Sequence, residues 1–230
     1  LRTLVSADPV VLFDLDGTVL TFEGPPPGPG GVALTRAMYD LHAQERATEG
    51  LRVAGGTDRA LVRTMLRRAS LSDDDVAIAR VLDSYLEHLE AILRARRYRP
   101  IGEVTRVVAE LEARGAVVGI ATGNLRDGAR LKLGSAGLNG TFDLARGGFG
   151  CDAELRADIV RIAAERCFVE GRARLVVVGD TERDVAAGHA VGARVVGIAG
   201  HPAARAELLA AGADAIVETC NDELVTAVLG

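Results

Sequence analysis

The sequence predicts an α/β fold, with a parallel sheet core and a second, all-helical domain inserted after the first strand. Two observations carry this. Short, continuous apolar runs recur along the chain, each ending in a polar tripeptide and each followed by a helical pattern, which is the grammar of buried parallel strands. A Pro/Gly-rich stretch then separates the first of these runs from a long helical segment.

In order, Val10-Val11-Leu12-Phe13 is the first strand and ends in Asp14-Leu15-Asp16-Gly17-Thr18. Gly24-Pro25-Pro26-Pro27-Gly28-Pro29-Gly30-Gly31 holds four of the seven prolines and reads as a stiff, helix-incompatible linker. Helices are predicted over 32–48, 58–69 and 73–97, with Thr57 or Asp58 and Ser72 as N-caps. Leu82, Leu86, Leu89 and Leu93 recur at helical spacing and mark a packed stripe. Strands follow at 116–121, 175–178 and 194–198, alternating with helices near 101–114, 125–136, 156–167 and 182–191. The division is thus 1–20 with 99–230 for the α/β core and 21–98 for the helical insert.

Composition bounds the partners. The chain has 230 residues, 48% hydrophobic and 26% charged, so it can bury a core and is not of disordered type. Lys+Arg 27 against Asp+Glu 32 leaves a net charge of −5, which gives no footprint for nucleic acid or an anionic membrane. No apolar run has the length of a membrane span, and Asp8-Pro9 arrives before any signal-peptide-like stretch. The chain opens on Leu1 rather than Met, so residues are expected to precede it. Cys151, Cys167 and Cys220 form no CxxC and cannot all pair, so buried thiols and a cytoplasmic location are expected. His42, His88, His189 and His201 have no metal-ligand spacing and read as structural.

In a parallel sheet, ligands sit beyond the carboxyl ends of the strands. Asp14 and Asp16 stand at one such end, and Gly179-Asp180-Thr181-Glu182-Arg183-Asp184 at another. Asp14-x-Asp16-Gly17 also suits a solvated turn, and Asp184 suits a helix cap. Two acidic pairs meeting at one edge repel unless a hard cation lies between them, and such oxygens are the donors Mg²⁺ takes. Thr122-Gly123-Asn124 ends another strand and opens a helix, so it reads as an anion site, an N-cap, or both.

Asp14-Leu15-Asp16-Gly17-Thr18, then Thr122, then Gly179-Asp180-x-x-x-Asp184 resemble, in that order, the haloacid dehalogenase-like hydrolase superfamily. Residues 21–98 match its inserted helical cap, and the chain resembles the phosphoglycolate phosphatases among its members. The resemblance implies a Rossmann-like three-layer core and a Mg²⁺-dependent phosphatase acting on a small phosphorylated metabolite. It implies Asp14 as the nucleophile that becomes an aspartyl-phosphate, Asp16 as general acid/base, and Thr122 on the transferring phosphoryl group. Mg²⁺ would be held by Asp14, the Asp16 carbonyl and Asp180, with Asp184 assisting, and Gly17, Thr18, Gly123 and Asn124 would meet substrate. The chain departs from the family pattern in lacking a Lys-Pro pair before the helix that precedes the last motif. Arg156 stands at about that place, and Lys132, the only lysine, is the competing phosphate-binding cation. Asp16 argues against a dehalogenase, since halide departure needs no acid. A phosphomutase and a non-enzymatic phosphorylatable switch or binding protein remain as alternatives. Gly55-Gly56-Thr57-Asp58, with Arg59 and Arg63, reads either as a substrate-contacting loop or as a plain turn between helices.

Overall fold

A computed structural model describes residues 8–167 and 174–230; residues 1–7, on which the reading of the N-terminus bears, lie outside the described residues. The central strand β1 (Val10–Phe13) is buried along its whole length because neighbours cover it on both edges and both faces. It pairs in parallel with β4 (Val117–Ala121) and β6 (Leu175–Gly179). β5 (Gly147–Gly148), β7 (Arg194–Ile198) and β8 (Ala215–Val217) complete a six-stranded parallel sheet, in the order β5-β4-β1-β6-β7-β8.

Side-chain alternation sorts the sheet residues into two cores. Val11 and Phe13 face the layer of α4 (Val104–Ala113), α5 (Arg126–Ser135) and α9 (Asp222–Leu229). Val10 and Leu12 face α6 (Arg156–Arg166), α7 (Glu182–Ala190) and α8 (Pro202–Ala211). Because Phe13 is level with both Ile120 and Val178, the three central strands leave the sheet at one edge. That register brings the acidic motifs together.

Between β1 and β4 the chain leaves through β2 (Leu20–Phe22) and returns through β3 (Tyr98–Pro100), which pair antiparallel. Three helices lie between them: α1 (Pro29–His42), α2 (Asp58–Arg68) and α3 (Asp75–Leu93). Leu82, Leu89 and Leu93 of the leucine stripe are buried, and Leu86 packs against them half-covered. Three sequence expectations need correction here. The Pro/Gly stretch does not exclude a helix throughout, since Pro29 opens α1 at a position whose N–H has no helical partner anyway. That first helix also stops at His42, where Ala43 turns left-handed, rather than running to 48. The N-cap of α3 is Asp74, which accepts from Ala77 N, and Ser72 only supports it by donating to Asp74 Oδ2. Thr57 caps α2 as expected. Cys167 and Cys220 are buried, but Cys151 is exposed. Cys151 lies in the turn between β5 and α6, outside any packed element.

Candidate active site

Asp14 and Asp16 follow β1 directly, and Gly17 turns the chain with a positive φ of 84°. A Cβ at Gly17 would lie 2.0 Å from Asp180 Oδ2, so only glycine lets the β1 and β6 loops close on one another. One carboxylate oxygen from each of Asp14, Asp180 and Asp184 lies within 4.8 Å of the other two. Burial, with Asp14 and Asp184 alongside, pushes the Asp180 carboxyl up to about 8. Burial likewise raises Asp14 to about 6, reinforced by Asp184 and Asp16 and opposed by Arg156. An all-oxygen set of crowded, desolvated carboxylates fits a hard divalent cation, which would supply the missing positive charge.

Asp184 does both of the things open to it. Its Oδ2 accepts from Thr181 N (3.0 Å) and Thr181 Oγ1 (2.7 Å), closing a capping box at the start of α7. Its Oδ1 faces Arg156 Nη2 at 2.5 Å. That same nitrogen is 2.8 Å from Asp14 Oδ1. Arg156 is buried, and these contacts are ionic rather than aligned hydrogen bonds.

Lys132 lies on the other side of the site. Its Nζ donates to Asp16 Oδ2 and Asn124 Oδ1, each at 2.6 Å. Its side chain is 6% exposed, with the Tyr98 ring centroid 5.4 Å from Nζ. Enclosure would raise the Asp16 carboxyl, but the Lys132 ammonium and the Asn124 amide outweigh it and hold Asp16 below its ordinary value. Burial would lower Lys132, yet Asp16 and its other neighbours keep it charged well above the ordinary lysine value. The two aspartates of the first motif therefore occupy opposite electrostatic settings.

Thr122 is fully buried and is not an N-cap: α5 begins at Arg126 with Leu125 before it. Its Oγ1 instead accepts from Asn124 Nδ2 at 2.8 Å, and Asn124 Nδ2 also donates to Asp16 Oδ2. Thr18 stands behind the acids, donating to Asp180 Oδ1 at 3.3 Å, whereas Gly17, Gly123 and Asn124 line the cavity.

The Gly55–Asp58 loop does reach the site. Asp58 N donates to Gly123 O, and Leu125 N donates to Asp58 Oδ2, both at 2.8 Å. A Cβ on Gly123 would fall 2.1 Å from Gly56 O, so this close approach depends on glycine. Burial raises the Asp58 carboxyl to about 6, despite Lys132 nearby. Arg59 and Arg63 do not line the cavity; they bind Glu154, with Arg63 Nη2 to Glu154 Oε1 at 2.6 Å. Thr57 Oγ1 donates to Glu154 O, and Arg156 Nη1 to Gly55 O. The insert is thus fastened over the sheet edge, enclosing a cavity of about 720 Å³ against Asp14, Asp16, Lys132 and Arg156.

The histidines stay away from these residues. His88 pairs with Asp40, His189 with Asp214, and His201 caps α8. Sequence reasoning reached Asp58 only as one residue of a loop that either contacts substrate or merely turns, and it missed Tyr85, Tyr98 and Glu154, which carry no local signal.

A parallel sheet that delivers four aspartates, a lysine and an arginine to one enclosed edge defines an α/β enzyme with a carboxylate-centred active site. A model of the haloacid dehalogenase-like hydrolases matches residues 9–192, and the chain belongs to that family. It is an enzyme of the phosphatase kind within it. Phosphoglycolate phosphatase of Aquifex aeolicus (strain VF5) is 24% identical over 186 residues, covering 80% of this chain and 82% of that protein. In fold, the chain is similar to a phosphonoacetaldehyde hydrolase-like protein from Oleispira antarctica, with a TM-score of 0.70 and 20% identity over 99% of this chain and 96% of that one. CbbY from Rhodobacter sphaeroides, solved with phosphate, gives a TM-score of 0.69 and 20% identity over 93% and 95%.

Proposed function

We propose that the chain is a Mg²⁺-dependent phosphatase that hydrolyses a phosphate monoester through an aspartyl-phosphate on Asp14, with residues 21–98 serving as its cap. The observation that carries this is the opposed setting of two aspartates two residues apart. Asp14 sits among acids and Arg156, and Asp16 is held by Lys132 and Asn124.

Asp14, Asp180 and Asp184 would hold Mg²⁺, which when bound neutralises the carboxylates and the phosphate and so lowers their repulsion. The Asp14 carboxylate attacks phosphorus, a P–O bond to Asp14 forms, and the ester P–O bond breaks. The departing alkoxide takes the Asp16 proton, so an alcohol leaves. Asp16 then accepts a proton from water, whose oxygen attacks phosphorus and returns Asp14 and inorganic phosphate.

Lys132 is the better fit for the phosphate cation, because among the described residues its one ion pair is with Asp16, on the cavity side. An incoming phosphate dianion draws the ammonium from Asp16. Asp16, having lost its counter-charge beside a new anion, then takes up the proton it must deliver. Arg156 is committed to Asp14 and Asp184, on the metal side. Thr122 Oγ1 and the Gly123 backbone complete the phosphoryl cradle.

Phosphate release from 4-nitrophenyl phosphate tests this reading. Release should require Mg²⁺, stop in EDTA and return on re-addition. Full activity in chelator, or none with any monoester in Mg²⁺, would refute it.

A further inference from the structure

The cavity is large for a two-carbon phosphorylated acid. Its volume of about 720 Å³ falls in the range, about 300–1,000 Å³, that encloses drug-sized ligands. Away from the acidic edge its wall is largely apolar: Phe22, Leu34, Leu51, Val53, Leu61 and the Tyr85 ring. All six come from the 21–98 insert, Phe22 from the strand that opens it.

Charge limits the substrate as firmly as shape. Among the described residues, three cationic side chains line the cavity. Lys132 is bound to Asp16 and Asn124 beside the reacting atoms, and Arg156 faces Asp14 and Asp184. Arg46 is at the rim, 81% exposed and paired with Glu49 at 3.6 Å. No enclosed cation remains for a second anionic group on the substrate. The remaining enclosed charge on the cap side is the Asp58 carboxyl, which would repel one.

Building on the phosphatase reading, we propose that the substrate is the phosphate monoester of a bulky, apolar or aromatic alcohol with no second anionic group. Its body lies against Phe22, Leu34, Leu51, Val53 and Leu61, and the single phosphate reaches Asp14 and Lys132. Water leaves the apolar wall when this body enters, so recognition grows with buried carbon rather than with added charge.

The test is a homologous series of ethyl, butyl and hexyl phosphate with Mg²⁺, set against 2-phosphoglycolate. Leaving-group acidity hardly changes along the alkyl series, so the rates report on the body. kcat/KM should climb roughly fourfold per added methylene, the fold-change equivalent of burying one CH₂, and hexyl phosphate should exceed 2-phosphoglycolate. Leu51→Asp should flatten the climb. Flat rates along the series, or preference for 2-phosphoglycolate, would overturn the proposal and leave the phosphatase reading standing. If no ester releases phosphate, that reading fails, and titration calorimetry with methyl- and hexylphosphonate decides the proposal on its own. Tighter binding of hexylphosphonate sustains the apolar seat; equal binding by the wild-type chain overturns it.

Discussion

Replacing Asp58 with asparagine isolates the cost of closing a carboxylate between the cap and the sheet edge. Asp58 is 7% exposed, and it accepts a hydrogen bond from Leu125 N that an asparagine oxygen can also accept. Burial lifts its carboxyl from 3.8 to about 6. The folded protein therefore holds a proton through a range in which the unfolded chain has released it. The sign follows: the site imposes no penalty below about pH 4, the penalty builds as pH rises to about 6, and it is constant above that. Its full size is about 3 kcal/mol, at about 1.4 kcal/mol per tenfold change in proton affinity. Urea unfolding of the wild type and Asp58→Asn from pH 4 to pH 8 reads it directly. Titrating groups that do not feel Asp58 are common to both chains and drop out of the difference; its neighbours Lys132 and Tyr85 are held well above their ordinary values and do not titrate between pH 4 and pH 8. The two chains should be close in stability at pH 4, and the Asp58→Asn chain should be the more stable by about 2–3 kcal/mol at pH 8. A difference that stays flat with pH, or that favours the wild type at pH 8, would refute the reasoning.

Lys132→Ala should lose on the order of 10²-fold or more in kcat, as removal of charge aimed at a transition state does; an almost unchanged turnover would take the phosphate from Lys132. Arg156→Gln removes a guanidinium that shares oxygens with the proposed metal ligands. The half-saturating Mg²⁺ concentration should fall several-fold in a titration of activity, and a rise would mean that Arg156 helps build the site. Leu89 is fully buried in α3, so Leu89→Ala should cost about 2–5 kcal/mol in unfolding experiments. A loss below about 1 kcal/mol would show that the cap core can collapse around the gap.

Much of the core was legible because its signals are local. Four apolar runs became β1, β4, β6 and β7, and the polar residues at their ends meet because parallel strands share a direction. The acidic cluster followed from that rule alone. The short pairs β2 and β3, and the two-glycine β5, carry no periodicity that a sequence can display. Of the two readings open for Thr122, the N-cap fails because its hydroxyl is taken by Asn124 two residues on, before the helix begins, and the place at the cavity remains. Lys132 and Arg156 were rivals for one role, and the sequence had no means to separate them. Packing distributes them to opposite sides, one to Asp16 and the other to Asp14 and Asp184. Glu154 meets the insert, and Tyr98 meets Lys132, through long-range juxtapositions that no local pattern announces.

Trapping the covalent intermediate tests the central claim most directly. The enzyme is mixed with a monoester labelled in its phosphate, quenched in acid within milliseconds, and digested to locate the label. The account requires acid-stable, hydroxylamine-sensitive label on Asp14, absent from Asp14→Asn. The label should accumulate in Asp16→Asn with an aryl phosphate, where the first step needs no acid but the second lacks a base. Unlabelled protein in both the wild type and Asp16→Asn, during turnover that releases phosphate, would contradict it.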